Sequence, residues 1–156
     1  MTKMHTDELE ITPALVRRLL ARQFPQWADL PVSAIPSAGT DNAIFRLGEA
    51  LAVRLPRRPG AVESLDKEIL WLPRIAPHLP LDVPAPVGVG QADHEYPWQW
   101  YIYRWMAGSN AVHAPIADER QAAAALAAFI TALRRVDAAG GPRPGSHNFN
   151  RGEHLR

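Results

Sequence analysis

The chain has 156 residues, of which 47% are hydrophobic and 21% are charged, and its formal net charge is +1. These values allow one domain with a real core, exclude a largely disordered chain, and offer no electrostatic argument for nucleic acid or an anionic membrane as a partner. The absence of cysteine excludes disulfides, thiolate zinc sites and thiol nucleophiles. No stretch is as apolar and long as a membrane span or a signal peptide core, so we expect a cytoplasmic protein.

The first part of the chain predicts a helix followed by three strands. Thr12 before Pro13 is typical of a helix start, and apolar residues then recur at helical spacing. Two alternating segments flank the turn at Gly48-Glu49, which predicts a β-hairpin. The predicted spans are 13–24 for the helix and 32–36, 43–47 and 51–55 for the strands.

The second part predicts a helix, two strands and a long helix. Leu65, Ile69, Leu72 and Ala76 share one face of the first of these helices, which we expect to end near Pro77. Proline-punctuated loops surround the following elements, and most prolines, Pro73 included, are expected between elements. The predicted spans are 87–91 and 98–106 for the strands and 117–138 for the long helix, with 146–156 as an irregular tail.

This order of elements favours an α+β fold. Hairpins make an antiparallel sheet, and the longer connections place helices beside it. The strand at 51–55 alternates, so Val53 and Leu55 point to one face of the sheet and Arg54 points to the other, with Ala52 and Pro56. On the next helix, Glu68 follows Leu65 by three residues and therefore borders the face that packs on the sheet.

These residues supply the parts that a kinase-type nucleotide site needs. Such a site has a loop over the phosphates, a strand cation, a helix carboxylate that orients the cation, and a hinge that offers backbone hydrogen bonds to the base. The candidates are Gly39, Thr40, Asp41 and Asn42 for the loop, Arg54 for the cation, Glu68 for the carboxylate, and residues 103–108 for the hinge.

In this order and spacing the chain resembles the aminoglycoside phosphotransferase family, and more narrowly its macrolide-phosphotransferase-like bacterial members. The resemblance runs from about residue 12 onward. Its motifs are Gly39-Thr40-Asp41-Asn42-Ala43-Ile44-Phe45-Arg46-Leu47, Val53-Arg54-Leu55-Pro56-Arg57-Arg58, Glu68, Trp71-Leu72-Pro73-Arg74-Ile75-Ala76-Pro77, Leu81-Asp82-Val83-Pro84-Ala85-Pro86, Tyr96-Pro97-Trp98 and Tyr103-Arg104-Trp105-Met106-Ala107-Gly108.

The resemblance implies a protein-kinase-like N-terminal lobe, with a five-stranded antiparallel sheet and a flanking helix over residues 1–108. It assigns 109–156 to the hinge, the long helix and the start of a C-terminal lobe. The implied cofactor is ATP or GTP with magnesium. Arg54 would meet phosphate, with Glu68 as its ion-pair partner, and the backbone near Trp105 and Ala107 would meet the purine. The acceptor would be a small-molecule hydroxyl, on an aminoglycoside, a macrolide or a metabolite.

Two of the family's motifs are missing from these 156 residues. The family has a His-Gly-Asp loop followed by an asparagine, and a later aspartate that holds magnesium. The only downstream histidine segment that the sequence offers for comparison is 146–152, which resembles a loop before the catalytic lobe. We therefore predict no catalytic residue and no metal site in this chain, and no phosphoryl transfer by these residues alone.

Other interpretations remain open. The loop at 39–42 reads by itself as a turn, and Arg57-Arg58 as a solvated strand end, with a phosphate contact as the alternative. Base stacking is one interpretation of Trp98, Trp100 and Trp105. Core packing of at least two of them is the other, because alternation puts Trp100 and Trp105 on opposite faces.

A second hypothesis is a non-catalytic nucleotide-binding or interaction module, dimeric through an apolar stripe of the long helix that includes Leu126, Phe129 and Leu133. A third is a structural α+β domain in which Arg54 has no ligand.

Overall fold

The computed structural model describes residues 8–35, 41–141, 143 and 145, and confirms the predicted α+β order of elements. The predicted tail at 146–156 lies outside the described residues. The helices are α1 (Pro13–Gln23), α2 (Pro59–Ile75) and α3 (Glu119–Leu133), and the strands are β1 (Val32–Ala34), β2 (Asn42–Leu47), β3 (Leu51–Pro56), β4 (Pro86–Gly90) and β5 (Trp100–Arg104). Short 3-10 helices follow α1 and α2, at Pro25–Trp27 and Ala76–His78.

The five strands form one antiparallel sheet in the order β1-β2-β3-β5-β4. The first three strands are neighbours in sequence and in space. Helix α2 then carries the chain across to β4, and β5 returns to lie beside β3. The predicted five-stranded antiparallel sheet is therefore confirmed, and β3 becomes its central strand.

One face of the sheet is covered by α1. This helix begins at Thr12, whose hydroxyl oxygen accepts a hydrogen bond from the Leu15 N–H at 3.2 Å. The buried side of α1 packs on alternate residues of β2, β3 and β5, which is the period-2 pattern of a half-buried sheet. Core members on this side are Val16, Leu19, Leu20, Phe45, Leu47, Val53, Leu55, Trp100 and Ile102.

The opposite face is covered by α2. Ala61 and Leu65 are its buried residues, and Leu65 packs with Ala52, Tyr101 and Tyr103 of the sheet. The prediction that Pro73 lies between elements is wrong, since this residue is inside α2. A proline removes a single backbone hydrogen bond from a helix, and α2 continues only to Ile75 beyond it.

Helix α3 is shorter than the predicted 117–138. Its start is fixed by Asp118, whose carboxylate accepts a hydrogen bond from the Gln121 N–H at 2.9 Å. None of its residues is buried, and Leu126, Ile130 and Leu133 are all exposed. No helix in the described part of the chain combines the length and the apolar character needed to cross a bilayer.

Candidate functional site

The face of the sheet beneath α2 carries the candidate site. Strand register places Ile44 of β2 opposite Arg54 of β3, and Arg54 opposite Tyr101 of β5. Ala52 lies opposite Tyr103 in the same pair of strands. The predicted orientation of Arg54 is confirmed, because its neighbours Val53 and Leu55 are buried on the α1 face.

Arg54 and Glu68 form an ion pair between the sheet and α2. The Arg54 Nη2 donates to Glu68 Oε1 at 2.9 Å. The side chains are 25% and 26% exposed, so the pair is mostly covered but still reaches solvent. This is the partnership that the family resemblance implies.

The Arg54 guanidinium has donor capacity beyond this ion pair. Its Nε is buried and has no acceptor among the described residues. A buried N–H without a partner is costly, and a guanidinium can donate to two oxygens of one anion. A guanidinium with an unsatisfied donor is chemically suited to bind an anion.

Tyr101 is the third member of the cluster, and the sequence interpretation missed it. Its side chain is fully buried, and its hydroxyl donates to Glu68 Oε2 at 2.9 Å. Burial, followed by the negative charge of Glu68, raises the pKa of Tyr101 well above its usual range. Its hydroxyl therefore stays protonated and remains a donor through the physiological range. The alternation of side chains along β5 could have found it, because this alternation places Tyr101 and Tyr103 on the same face of the strand.

The predicted loop is only partly described. Gly39 and Thr40 lie outside the described residues. Asp41 anchors the end of the loop, because its backbone oxygen accepts from the Arg57 N–H and its carboxylate accepts from Arg58, both at 2.7 Å. The Oδ1 of Asn42 is buried and has no donor among the described residues.

The Arg58 contact corrects one expectation. Arg57-Arg58 was predicted as a solvated strand end, yet both residues are half-buried, and Arg58 is paired with Asp41. The cause is geometric, because β2 begins directly opposite the end of β3 and so brings the two charges together. The contact also places a positive charge beside the Asp41 carboxylate.

At Trp105, one of the two backbone hydrogen-bonding groups of the predicted hinge is already used within the chain. The Trp105 N–H donates to the Ala50 carbonyl at 2.8 Å, so this donor already has a partner within the chain. The Arg46 guanidinium lies over the Trp105 ring, 4.2 Å from its centroid. Trp105 packs beside the α2 face and Trp100 is in the α1 core, as their predicted opposite faces require. Ala107 is exposed beyond β5.

The described residues contain no group of three His, Asp or Glu side chains that could hold a metal ion. None of the described residues is therefore assigned as a metal ligand.

The family of the chain follows from its sequence. A family model described as "APH: Phosphotransferase enzyme family" matches residues 32–155, which is more than half of the chain. The chain therefore belongs to this family of phosphotransferase enzymes. No curated protein sequence gives a significant match.

Solved structures share the fold at low sequence identity. The GDP complex of wild-type aminoglycoside 2'-phosphotransferase-IIIa has a TM-score of 0.75 and 20% identity, covering 89% of this chain and 49% of that one. The GDP and kanamycin complex of APH(2")-IIia has a TM-score of 0.69 and 21% identity, covering 82% and 46%. The streptomycin–ATP complex of APH(2")-IIa has a TM-score of 0.55 and 18% identity, covering 83% and 42%. The chain thus spans about half the length of these proteins.

Proposed function

We propose that this chain is the nucleotide-binding lobe of a small-molecule phosphotransferase, and that Arg54 contacts the phosphates of ATP or GTP. The observation that carries the proposal is the ion pair between Arg54 of β3 and Glu68 of α2, which lies beneath α2 but still reaches solvent. Membership of a phosphotransferase family supports it. So do the GDP and ATP complexes of proteins with the same fold.

The phosphate contact follows from the chemistry of Arg54. A guanidinium stays charged at every physiological pH and presents donors in a plane that matches phosphate oxygens. Glu68 accepts a hydrogen bond from the Arg54 Nη2 at 2.9 Å, while the buried Nε–H has no acceptor among the described residues. The surrounding side chains reduce screening by water, which strengthens attraction for an anion. In this proposal Gly39, Thr40, Asp41 and Asn42 form the loop over the phosphates.

In this proposal the purine base lies on the apolar part of the sheet face beneath α2. Ile44 and Trp105 are partly buried and pack against the cluster that contains Ala52 and Tyr103. A purine ring buries apolar area well on such a surface, and its polar edge needs a few fixed backbone partners. The carbonyl of Trp105 and the backbone of Ala107 are the candidates for those partners.

We assign residues 1–108 to the nucleotide lobe and 109–156 to the hinge, the long helix and the first part of a second lobe. In the whole protein the γ-phosphate would pass to a hydroxyl of an aminoglycoside-, macrolide- or metabolite-like acceptor. These 156 residues contain no His-Gly-Asp loop, and the described part offers no metal cluster. We therefore expect these residues alone to bind nucleotide without transferring a phosphoryl group.

Calorimetric titration of the 156-residue chain with ATP and GTP, with and without magnesium, tests the proposal. Replacing Arg54 by alanine removes a charge-assisted contact worth about 1.5–3 kcal/mol, so affinity falls by about 10- to 150-fold. Arg74→Ala is the matched control, because Arg74 carries the same charge on the exposed end of α2. It leaves affinity unchanged. Equal losses in both variants would point to net charge alone, and unchanged affinity in Arg54→Ala would favour a purely structural ion pair.

The exposed face of α3 favours a second candidate, a non-catalytic nucleotide-binding or interaction module. Leu126, Ile130 and Leu133 remain 55%, 49% and 41% exposed, which is unusual for large apolar side chains on one helix. A homodimer would bury this stripe. Light scattering on the purified chain separates the candidates, because a stable dimer supports the module and a clean monomer contradicts the dimer.

A further inference from the structure

The cluster beneath α2 contains a hydrogen-bond donor, the Tyr101 hydroxyl, that does not belong to the proposed nucleotide contacts. Glu68 has two carboxylate oxygens, and each has its own partner at 2.9 Å. Oε1 accepts from Arg54 of β3, and Oε2 accepts from the hydroxyl of Tyr101 of β5. Since Arg54 and Tyr101 are register partners on adjacent strands, the carboxylate lies across both strands.

We propose that Tyr101 is a positioning residue, which fixes the carboxylate of Glu68 so that Arg54 is presented to the nucleotide phosphates in one orientation. The inference rests on the proposed nucleotide-binding function. Tyr101 does not itself contact the nucleotide in this account. It acts through Glu68.

The physical basis is the flexibility of a glutamate. Its side chain has three rotatable bonds, and a single contact to Arg54 leaves the carboxylate free to rotate about its last bond. A second donor on the other oxygen fixes the plane of the carboxylate and, through it, the Arg54 guanidinium. A planar fork binds phosphate oxygens well only when its orientation is held.

Tyr101 is well suited to supply this second donor. Its ring is fully buried, packs with Leu65, and contacts the Tyr103 ring at a centroid distance of 5.7 Å. An aromatic side chain has only two side-chain torsions, so packing of the ring fixes the hydroxyl in space. The hydroxyl is neutral, so its hydrogen bond to Oε2 leaves the negative charge of Glu68 to be balanced by Arg54 alone.

A purely structural bond between β5 and α2 is the competing explanation, and Tyr96 provides the matched control. Tyr96 is also fully buried, and its hydroxyl donates to the Pro56 carbonyl at 2.7 Å in the α1 core. Tyr96→Phe and Tyr101→Phe each remove one buried tyrosine hydroxyl. Only Tyr101→Phe removes a contact to Glu68.

Titration with magnesium–ATP and magnesium–GTP gives the first readout. In Tyr101→Phe, affinity falls by about three- to tenfold, whereas Tyr96→Phe binds like wild type. In a Glu68→Ala background, Tyr101→Phe weakens nucleotide affinity by less than about a further twofold, because the carboxylate through which Tyr101 acts on Arg54 is absent. Glu68→Asp keeps the charge but shortens the side chain, and reproduces the loss without altering the buried ring. Unchanged affinity in Tyr101→Phe, or a full further loss in the Glu68→Ala background, overturns the inference.

The mobility of Arg54 gives a second readout that needs no nucleotide. Nitrogen-15 relaxation of the Arg54 Nε–H reports how firmly the guanidinium is held. Its order parameter falls in Tyr101→Phe and stays at the wild-type value in Tyr96→Phe. If wild type binds neither nucleotide, the proposed function fails, and this comparison still decides whether Tyr101 orders the ion pair. Equal order parameters in all three proteins overturn the positioning role.

Discussion

Arg22 of α1 lies between two carboxylates of the loop that joins β4 to β5. Its Nε and Nη2 donate to Asp93 at 3.0 and 2.7 Å, its Nη1 donates to Glu95, and Arg18 donates to the other oxygen of Glu95 at 2.7 Å. Burial acts to raise the pKa of Asp93, but hydrogen bonds from the Glu95 N–H, Arg22 and the Tyr96 N–H outweigh it and lower that pKa. Hydrogen bonds from Arg22 and then Arg18 lower the pKa of Glu95.

These shifts fix the sign of a pH dependence. A carboxyl group whose folded pKa is depressed contributes stability above its unfolded pKa, and that stability is lost as pH falls through the folded value. In the unfolded chain the side-chain carboxyl groups of Asp and Glu have pKa values of about 4. We therefore expect Arg22→Gln to lower the urea midpoint at pH 7, and the difference from wild type to shrink steadily below about pH 4.

Urea unfolding followed by tryptophan fluorescence between pH 2 and 7 measures this difference. Arg120→Gln is the control, because it removes the same charge from the exposed face of α3. Its difference from wild type is small at every pH. A difference between Arg22→Gln and wild type that stays constant down to pH 2 would show that Arg22 contributes only through packing.

At the scale of elements, β4 approaches β5 so closely that one position excludes a side chain. A Cβ added to Gly90 would lie 2.0 Å from the ring of Trp100, which is fully buried and packs edge-on against Phe24 of the α1 face. The ring has no room to move because it is part of the core. Gly90→Ala is therefore expected to cost about 1–3 kcal/mol of unfolding free energy.

The control for this prediction is Gly60→Ala, in the first turn of α2. A Cβ there has its nearest neighbours in the Arg58 side chain at 3.7 Å or more, so space is available. Alanine also favours helix, so this variant is neutral or slightly stabilising. Thermal unfolding of both variants decides the question, and equal stabilities would mean that β4 moves away from Trp100 in solution.

The elements also show how far the sequence alone could lead. Alternation and helical spacing are local properties, and they correctly placed Arg54 on the face beneath α2 and Glu68 at its border. The contacts that were missed join residues far apart in sequence. Tyr101 meets Glu68 only because β5 pairs with β3 after a crossover, and Arg58 meets Asp41 only through the register of β2 on β3. Register of this kind depends on the whole sheet.

At the scale of the molecule, the stability of the sheet and the packing of α3 are expected to be separate. The sheet has two buried clusters, one beneath each covering helix, and α3 contributes no residue to either. A region with few buried apolar side chains unfolds locally at low cost. The proposed division at residue 108 predicts this independence.

Replacing Leu126, Ile130 and Leu133 together by glutamine tests this separation, because glutamine is a good helix former and these side chains are exposed. The free energy of unfolding of the sheet, measured in urea, should then stay within about 0.5 kcal/mol of wild type. Leu65→Ala, which truncates a fully buried contact of α2, should cost about 2–5 kcal/mol in the same assay. A loss in the glutamine variant as large as that of Leu65→Ala would mean that the stripe is covered in solution. Light scattering at the same concentrations would then show whether a second copy covers it.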